Sequence, residues 1–322
     1  MRPSGVFPKV AGELIYAADY NAIQSVVDSV MGLGAADEGY GQAITSLQLV
    51  PATTAQVIQW VRLRTDMILA RQHQTGVDES ASLTLANSSS AISASIANQY
   101  FNFAQTIRSN RLTLAASGNS STETLVDQTR TSSWNGTLNH TVTITFPGYT
   151  TGSLTVSAAN HARAFFNAGG QIWISSGRSG GTGGSSKNID WTTMLGNGST
   201  QPSGFGTVAF GYTETSTVSG TASAAGTTYN LGWYDMSTSD QLVFRKQAPA
   251  GNYAENDYEI YARRNAGSTQ LILTIQFRDD DAGDPSIDED VDGNLRSFIR
   301  QVRPSGSNVS VPTPTATGTG LL

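Results

Sequence analysis

Apolar residues recur with a helical period through the first third of the chain and with a period of two through most of the remainder, so a helical part precedes a strand-rich part. Ile23, Val26, Val27 and Val30 lie at i, i+3, i+4 and i+7, with Asp19 before them as a helix N-cap and Gly32 and Gly34 ending the run. A second helix is predicted after Thr53 or Thr54. It carries Val57, Ile58, Trp60, Val61, Leu63, Met67 and Ile68 and ends before Gly76; being apolar nearly all round, it is expected to be buried on several sides. In the third, Ile92, Ile96, Tyr100, Phe103 and Ile107 form a narrow stripe along roughly four turns. That stripe fits either a helix packed within its own chain or a seam between symmetry-related copies. It lasts about two heptads where a coiled coil usually needs three or four, which favours packing within the chain.

From about residue 113 the pattern changes to alternation broken by turns. Leu138, Val142, Ile144 and Phe146 fit one strand, stopped by Pro147-Gly148; Leu154 and Val156 fit another, and Val208 and Phe210 a third. Leu242 and Phe244 are expected on one strand face with Val243 on the other, Tyr258 and Ile260 share a face, and Leu271, Leu273, Ile275 and Phe277 make the clearest strand. Two short helices interrupt the strands. One holds Ala162, Phe165 and Phe166, stops at Gly169-Gly170 and leads into a strand over Gln171 to Ser175; the other covers Asp190 to Leu195, starting from Lys187-Asn188. The Gly, Asn, Ser and Pro clusters between strands have the rhythm of an antiparallel sandwich, and no repeat of fixed period occurs. The predicted fold is α+β. It comprises an N-terminal helical attachment or oligomerisation region (1–112), an antiparallel β-sandwich-like domain with short inserted helices (113–303) and an extended C-terminal tail (304–322).

Composition narrows the function classes. Charged residues make up 14% of the chain, against roughly 25% in ordinary soluble proteins, so the surface is rich in hydroxyls and amides rather than ions. A formal charge of −6 argues against duplex DNA or an anionic membrane as the main partner. The absence of cysteine removes disulfides, thiolate metal sites and cysteine nucleophiles. The first twenty residues lack the apolar core of a secretory signal, and the expectation is synthesis in the cytoplasm.

Candidate chemistry is sparse. No Gly-x-Ser-x-Gly elbow occurs. His73 is expected to complement the carbonyls at the end of its own helix, and His140 and His161 to be surface or capping groups. The glycine-rich stretch Gly177 to Lys187 lacks the Gly-Lys-Ser/Thr spacing of a phosphate loop and is expected to be a surface loop. Asp288, Asp290, Asp292 and Gly293 match the first half of a calcium loop, but Ile299 stands where the bidentate glutamate belongs. The alternatives are a non-helical calcium site or carboxylates paired with Arg296, Arg300 or Arg303, or with basic groups on a neighbouring copy. A glycosidase would need two facing carboxylates, for which Glu214, Asp235, Glu255 and Glu259 are available without a motif.

Three segments carry a resemblance. Phe165-Phe166-Asn167 with Gly169-Gly170 and Ile172 is followed by Lys187-Asn188 and Asp190-Trp191; further on come Asp279-Asp280-Asp281, Gly283-Asp284 and then Asp288-Glu289, Val291 and Gly293; near the start stands GELIYAADYN. In this order they resemble segments of structural proteins of tailed bacteriophages. The resemblance implies a non-enzymatic virion protein, made in the host cytoplasm and without a cofactor; calcium at the acidic run is suggested only by the half-matched loop. Its expected form is an oligomeric neck or collar fibre or adaptor, with a baseplate or receptor-binding tail fibre as alternative and a polysaccharide depolymerase as a third reading. The implied partners are copies of itself, as a trimer or another cyclic oligomer, and other virion proteins; the stripe of Ile92, Ile96, Tyr100, Phe103 and Ile107 is the candidate seam. Nucleic acid and membrane are not expected partners. In a receptor-binding protein Trp173, Trp191, Trp233 and Tyr234 could form a sugar platform, although Trp173 and Trp191 are expected in the core.

Overall fold

The computed structural model describes residues 5–34, 37–51, 53, 55–86, 92–181, 185–196, 206–218, 226–249, 251–280 and 290–321. It has the expected mixed α+β composition with a sheet-rich part. Two compact units are each built from three stretches of chain: Met1–Ser121, Gly148–Gly169 and Pro304–Pro312 in one, and Thr122–Pro147, Gly170–Arg303 and Thr313–Leu322 in the other.

The first unit contains helices α1 (Ala17–Met31), α2 (Val57–Thr75), α3 (Ala94–Ser109) and the short α4 (Ala116–Asn119). It also holds the hairpin of β3 (Tyr149–Thr151) and β4 (Leu154–Val156), and α5 (Ala158–Asn167). Three aromatic rings join the first three helices. Tyr20 of α1 meets Trp60 of α2 edge-on at 5.2 Å, and Trp60 meets Tyr100 of α3 edge-on at 5.3 Å. Edge-to-face contact places the positive rim of one ring on the negative face of the next, and all three rings are buried.

Polar groups pin what the rings do not reach. Asp19 lies inside α1, where its carboxylate accepts from the Tyr16 amide at 2.8 Å and pairs with Lys9 at 2.6 Å, so Tyr16 rather than Asp19 occupies the cap. Asp66, also buried, accepts from the Thr45 amide, the Thr45 hydroxyl and the Ser46 amide at 2.7–3.1 Å and so fixes the segment after α1. Helix α2 is buried along one face, through Trp60, Leu63, Asp66, Met67, Ala70, His73 and Gln74, and leaves Ile58 exposed. Its apolar circumference overstated its burial. In α3 the buried set is Ala94, Ala97, Tyr100, Ala104 and Ile107. Tyr100 and Ile107 therefore pack into their own unit and are unavailable to a seam between copies, whereas Ile92, Ile96 and Phe103 are half-buried.

The second unit holds two sheets. One has the order β1 (Ser120–Arg130), β12 (Asn294–Pro304), β5 (Gln171–Ser179), β6 (Gly206–Phe210), β7 (Thr215–Val218). The other runs β13 (Thr315–Thr319), β2 (Thr137–Thr145), β11 (Gln270–Arg278), β10 (Asp257–Arg264), β9 (Gln241–Gln247), β8 (Thr227–Thr228). Helix α6 (Ser186–Leu195) packs on β5. Ile172, Ile174, Val208 and Ile299 of the first sheet and Val142, Ile144, Ile260, Leu273 and Ile275 of the second are buried. Two hydrogen bonds cross between sheets, Ser176 to Tyr258 at 3.1 Å and His140 to Ser297 at 2.8 Å. The sheets thus face each other as a sandwich does.

The extended tail is incorporated rather than free. Val309 and Val311 are buried, Gln42 brackets Ser310 through both its amide atoms, and Thr315–Thr319 is a strand beside β2. Gly318 allows this strand to pass: a Cβ there would lie 2.7 Å from the His140 ring and 2.8 Å from Val126. Gly177 to Ser179, expected in a loop, extends β5, with Arg178 buried. The alternation expected of Leu242, Val243 and Phe244 fails at a bulge. Phe244 pairs with Ile260 and Leu242 with Tyr261, so Val243 is the extra residue and both Val243 and Phe244 are buried.

Replacing Trp60 by Ala should destabilise the protein by about 3–5 kcal/mol, because the central ring of the three-helix contact is lost. Urea denaturation measures this, and Trp60→Phe, which keeps an aromatic ring there, should cost less.

Candidate functional site

The acidic run is fastened at both ends by one helix. Ser185 caps α6 by accepting from the Asn188 amide at 3.2 Å, which orients the first turn and projects Lys187 and Asn188. The Lys187 ammonium reaches the Asp279 carboxylate at 2.9 Å, with both side chains fully withdrawn from water, and lies 5.4 Å from the Tyr253 ring centroid. Asn188 uses both ends of its amide on Asp292, donating to the carboxylate at 2.6 Å and accepting from the Asp292 backbone at 3.1 Å. Arg178 donates to the same carboxylate at 2.7 Å and to the Asn188 carbonyl and Thr192 hydroxyl at 3.3 and 3.0 Å. Burial pushes the Arg178 guanidinium pKa down, and the Asp292 carboxylate beside it opposes this.

Two further features close the assembly. Trp134 and Val291 exchange backbone hydrogen bonds at 2.9 and 2.8 Å, and Trp191 packs between Trp134 and Phe277, with ring centroids at 5.8 and 6.3 Å. Gly293 adopts φ +88, and a Cβ there would lie 2.7 Å from the Ser179 carbonyl, so only glycine turns the chain into β12 at this distance from β5.

Of the three carboxylates expected to bind calcium, Asp288 lies outside the described residues. Asp290 accepts from the Ser133 hydroxyl at 3.2 Å and Asp292 is held by Arg178 and Asn188. No group of three His, Asp or Glu side chains suited to a metal occurs among the described residues. Asp292 is therefore engaged in an ion pair, the alternative reading of the acidic run, though its partner is Arg178 rather than Arg296, Arg300 or Arg303. Arg296 pairs with Asp127 at 2.5 Å and Arg303 with Glu123 at 2.7 Å.

The carboxylates considered for glycoside chemistry are dispersed in role. Glu214, Asp235 and Glu255 are exposed, while Glu259 is buried on β10, where it pairs with Arg245 at 3.3 Å and Arg278 at 3.5 Å and accepts from Tyr261 at 3.0 Å. Asp257, two residues earlier on the same strand face, binds Arg245 at 2.5 Å. The sequence signal for this network was the Asp-x-Glu-x-Tyr alternation of 257–261, with arginines on both neighbouring strands.

All three histidines are buried, against expectation. The His73 ring donates to the Ala168 carbonyl at 2.9 Å, so it caps the end of α5 instead of its own helix, and burial pulls its pKa down to about 4. His140, beside Ser297, is pulled to about 4 by the same cause. His161 donates to the Pro312 carbonyl at 3.0 Å. Trp191 and Trp233 are buried, Trp173 is partly exposed and Tyr234 is half exposed. Trp173 thus departs from the expected core position.

Lys187→Met should destabilise the protein by about 3–5 kcal/mol by removing the ammonium that faces the buried Asp279 carboxylate, and Lys187→Met with Asp279→Leu should recover most of that loss. Urea denaturation of the three proteins checks the pair. Because the folded pKa values of His73 and His140 lie below the unfolded value of about 6.5, their contribution is complete above pH 6.5 and is lost as pH falls towards 4, by roughly 3 kcal/mol per ring. Stability measured between pH 7 and 4.5 should therefore fall less steeply in His73→Gln and in His140→Asn than in the parent.

Compared with protein-family models, curated proteins and solved structures, the chain matches none of them.

Proposed function

We propose that this chain is a non-enzymatic structural protein of a tailed-phage virion, an oligomeric neck or collar fibre or adaptor whose helical unit attaches it to neighbouring subunits. The observation that carries this reading is an asymmetry of apolar exposure. Of the twelve large hydrophobic residues exposed among the described ones, nine belong to the helical unit: Val6, Val10, Leu14, Tyr16, Leu47, Val50, Ile58, Val77 and Leu85. Several gather at one end. Asn21 holds Leu49 by two hydrogen bonds of 2.7–2.8 Å and the Tyr20 hydroxyl donates to the Gln59 carbonyl at 3.3 Å, so Val50 and Ile58 lie near the start of α1, which Leu14 and Tyr16 immediately precede. Apolar surface concentrated on one part of a protein otherwise coated with hydroxyls marks a contact with other chains.

The resembling segments add support. Lys187-Asn188 and the acidic run, about ninety residues apart in sequence, are bonded to each other, so two of the matching motifs belong to one structural device. A baseplate or receptor-binding tail fibre is the second reading, favoured by the partial exposure of Trp173. The depolymerase reading gains nothing from Glu259, whose carboxylate is engaged by two arginines.

Mass spectrometry of purified particles should recover this chain, and imaging should locate it at the neck. Its absence from virions would refute the proposal. Ile96→Asp with Phe103→Asp, both half-buried positions on α3, should lower the oligomeric state measured by sedimentation; an unchanged state would remove α3 from the interface.

A further inference from the structure

Strand β12 carries three arginines that the structure treats differently. Arg296 and Arg303 are each neutralised by a carboxylate of β1, Asp127 and Glu123. Arg300, between them, has no carboxylate partner among the described residues. Its guanidinium carbon lies over two rings instead, 5.2 Å from the Trp173 centroid and 5.3 Å from that of Phe298, a ring it shares with Arg296 at 5.2 Å. Its Nε is buried without an acceptor, and burial pulls the guanidinium pKa down. The pairing register puts Arg300 opposite Trp173 and Phe298 opposite Ser175, so this group occupies the face of the five-stranded sheet opposite to Ile172, Ile174 and Ile299.

We propose that Arg300, stacked on Trp173 and Phe298, is a binding site for an acidic saccharide, a sugar ring carrying a carboxylate or a phosphate. A guanidinium whose flat face lies over rings keeps its terminal N–H groups in plane, and these can receive two anionic oxygens side by side while the buried Nε cannot. A guanidinium that is half-buried yet unpaired sits at a cost that an external anion relieves, and the two flanking arginines show that this strand acquires acidic partners where pairing is internal. The partly exposed indole next to the cation supplies an apolar ring surface of the kind sugars stack upon, which an inorganic anion would not use.

This site is independent of the virion role proposed above, and either can fail alone. The test is titration of the full-length protein, followed by calorimetry and by Trp fluorescence, with glucuronate, glucose 6-phosphate, glucose and inorganic phosphate. Binding of glucuronate or glucose 6-phosphate, with glucose and inorganic phosphate at least about tenfold weaker, is the expected result, and which of the two acidic sugars binds identifies the anionic group. Arg300→Gln should weaken that binding about tenfold or more, and Arg300→Lys should do nearly as much by removing the planar fork, whereas Arg303→Gln should leave it within a factor of about two. No binding of either acidic sugar overturns the proposal. So does equal binding of inorganic phosphate, or unchanged binding in Arg300→Gln with circular dichroism intact.

Discussion

A charge removed from water must meet its counter-charge, and that requirement organises this protein more than its apolar content does. Lys187 with Asp279, Lys9 with Asp19, and Arg178 with Asp292 are ion pairs in which at least one member is withdrawn almost wholly from solvent. In a chain that is only 14% charged, two of these pairs, Lys187 with Asp279 and Arg178 with Asp292, join segments distant in sequence. Hydrophobic packing tolerates many registers; a buried ammonium tolerates one carboxylate in one place, because losing the partner leaves an uncompensated charge. The pairs therefore add specificity to a fold whose strands, rich in Thr and Ser, are weakly distinguished from one another by apolar pattern alone.

The same economy explains the aromatic and histidine placements. Tyr20, Trp60 and Tyr100 bury large area with few rotatable bonds, and their edge-on geometry fixes helix orientation in a unit with no cysteine for a disulfide. His73 and His140 serve as neutral hydrogen-bonding rings in sites too dry to hold imidazolium. Each ring occupies the position of a core residue while satisfying a polar atom nearby, Ala168 carbonyl or Ser297 hydroxyl.

What could be read from the sequence followed the strength of its periodicity. Helices α1 and α3 and strands β2, β10 and β11 carry large apolar residues at regular spacing, and each was legible within a few positions. Strand β1 buries a single residue, Val126, and β13 consists of Thr, Ala and Gly, so neither has an apolar face to read. They exist because a neighbouring strand supplies their hydrogen bonds, and β13 also because Gly318 fits beneath His140. The stripe on α3 misled in a different way: alanines 94, 97 and 104 form much of its buried face, and small residues have little weight in a pattern of large ones. At the site, Lys187-Asn188 and the acidic run were both conspicuous, yet their bonding was invisible, since a contact across about ninety residues leaves no local mark.

The contrast among the arginines of β12 shows what such scarcity of charge makes readable in a structure. Here two of three neighbours on one strand are paired directly, and the third is stacked on rings that strengthen its hold on position while contributing no formal negative charge. Cation–ring attraction offsets part of the desolvation of Arg300 but leaves its N–H groups without full acceptors. The stacking therefore orients the cation while leaving it unneutralised, a combination that suits a group reserved for an incoming anion better than one recruited for stability.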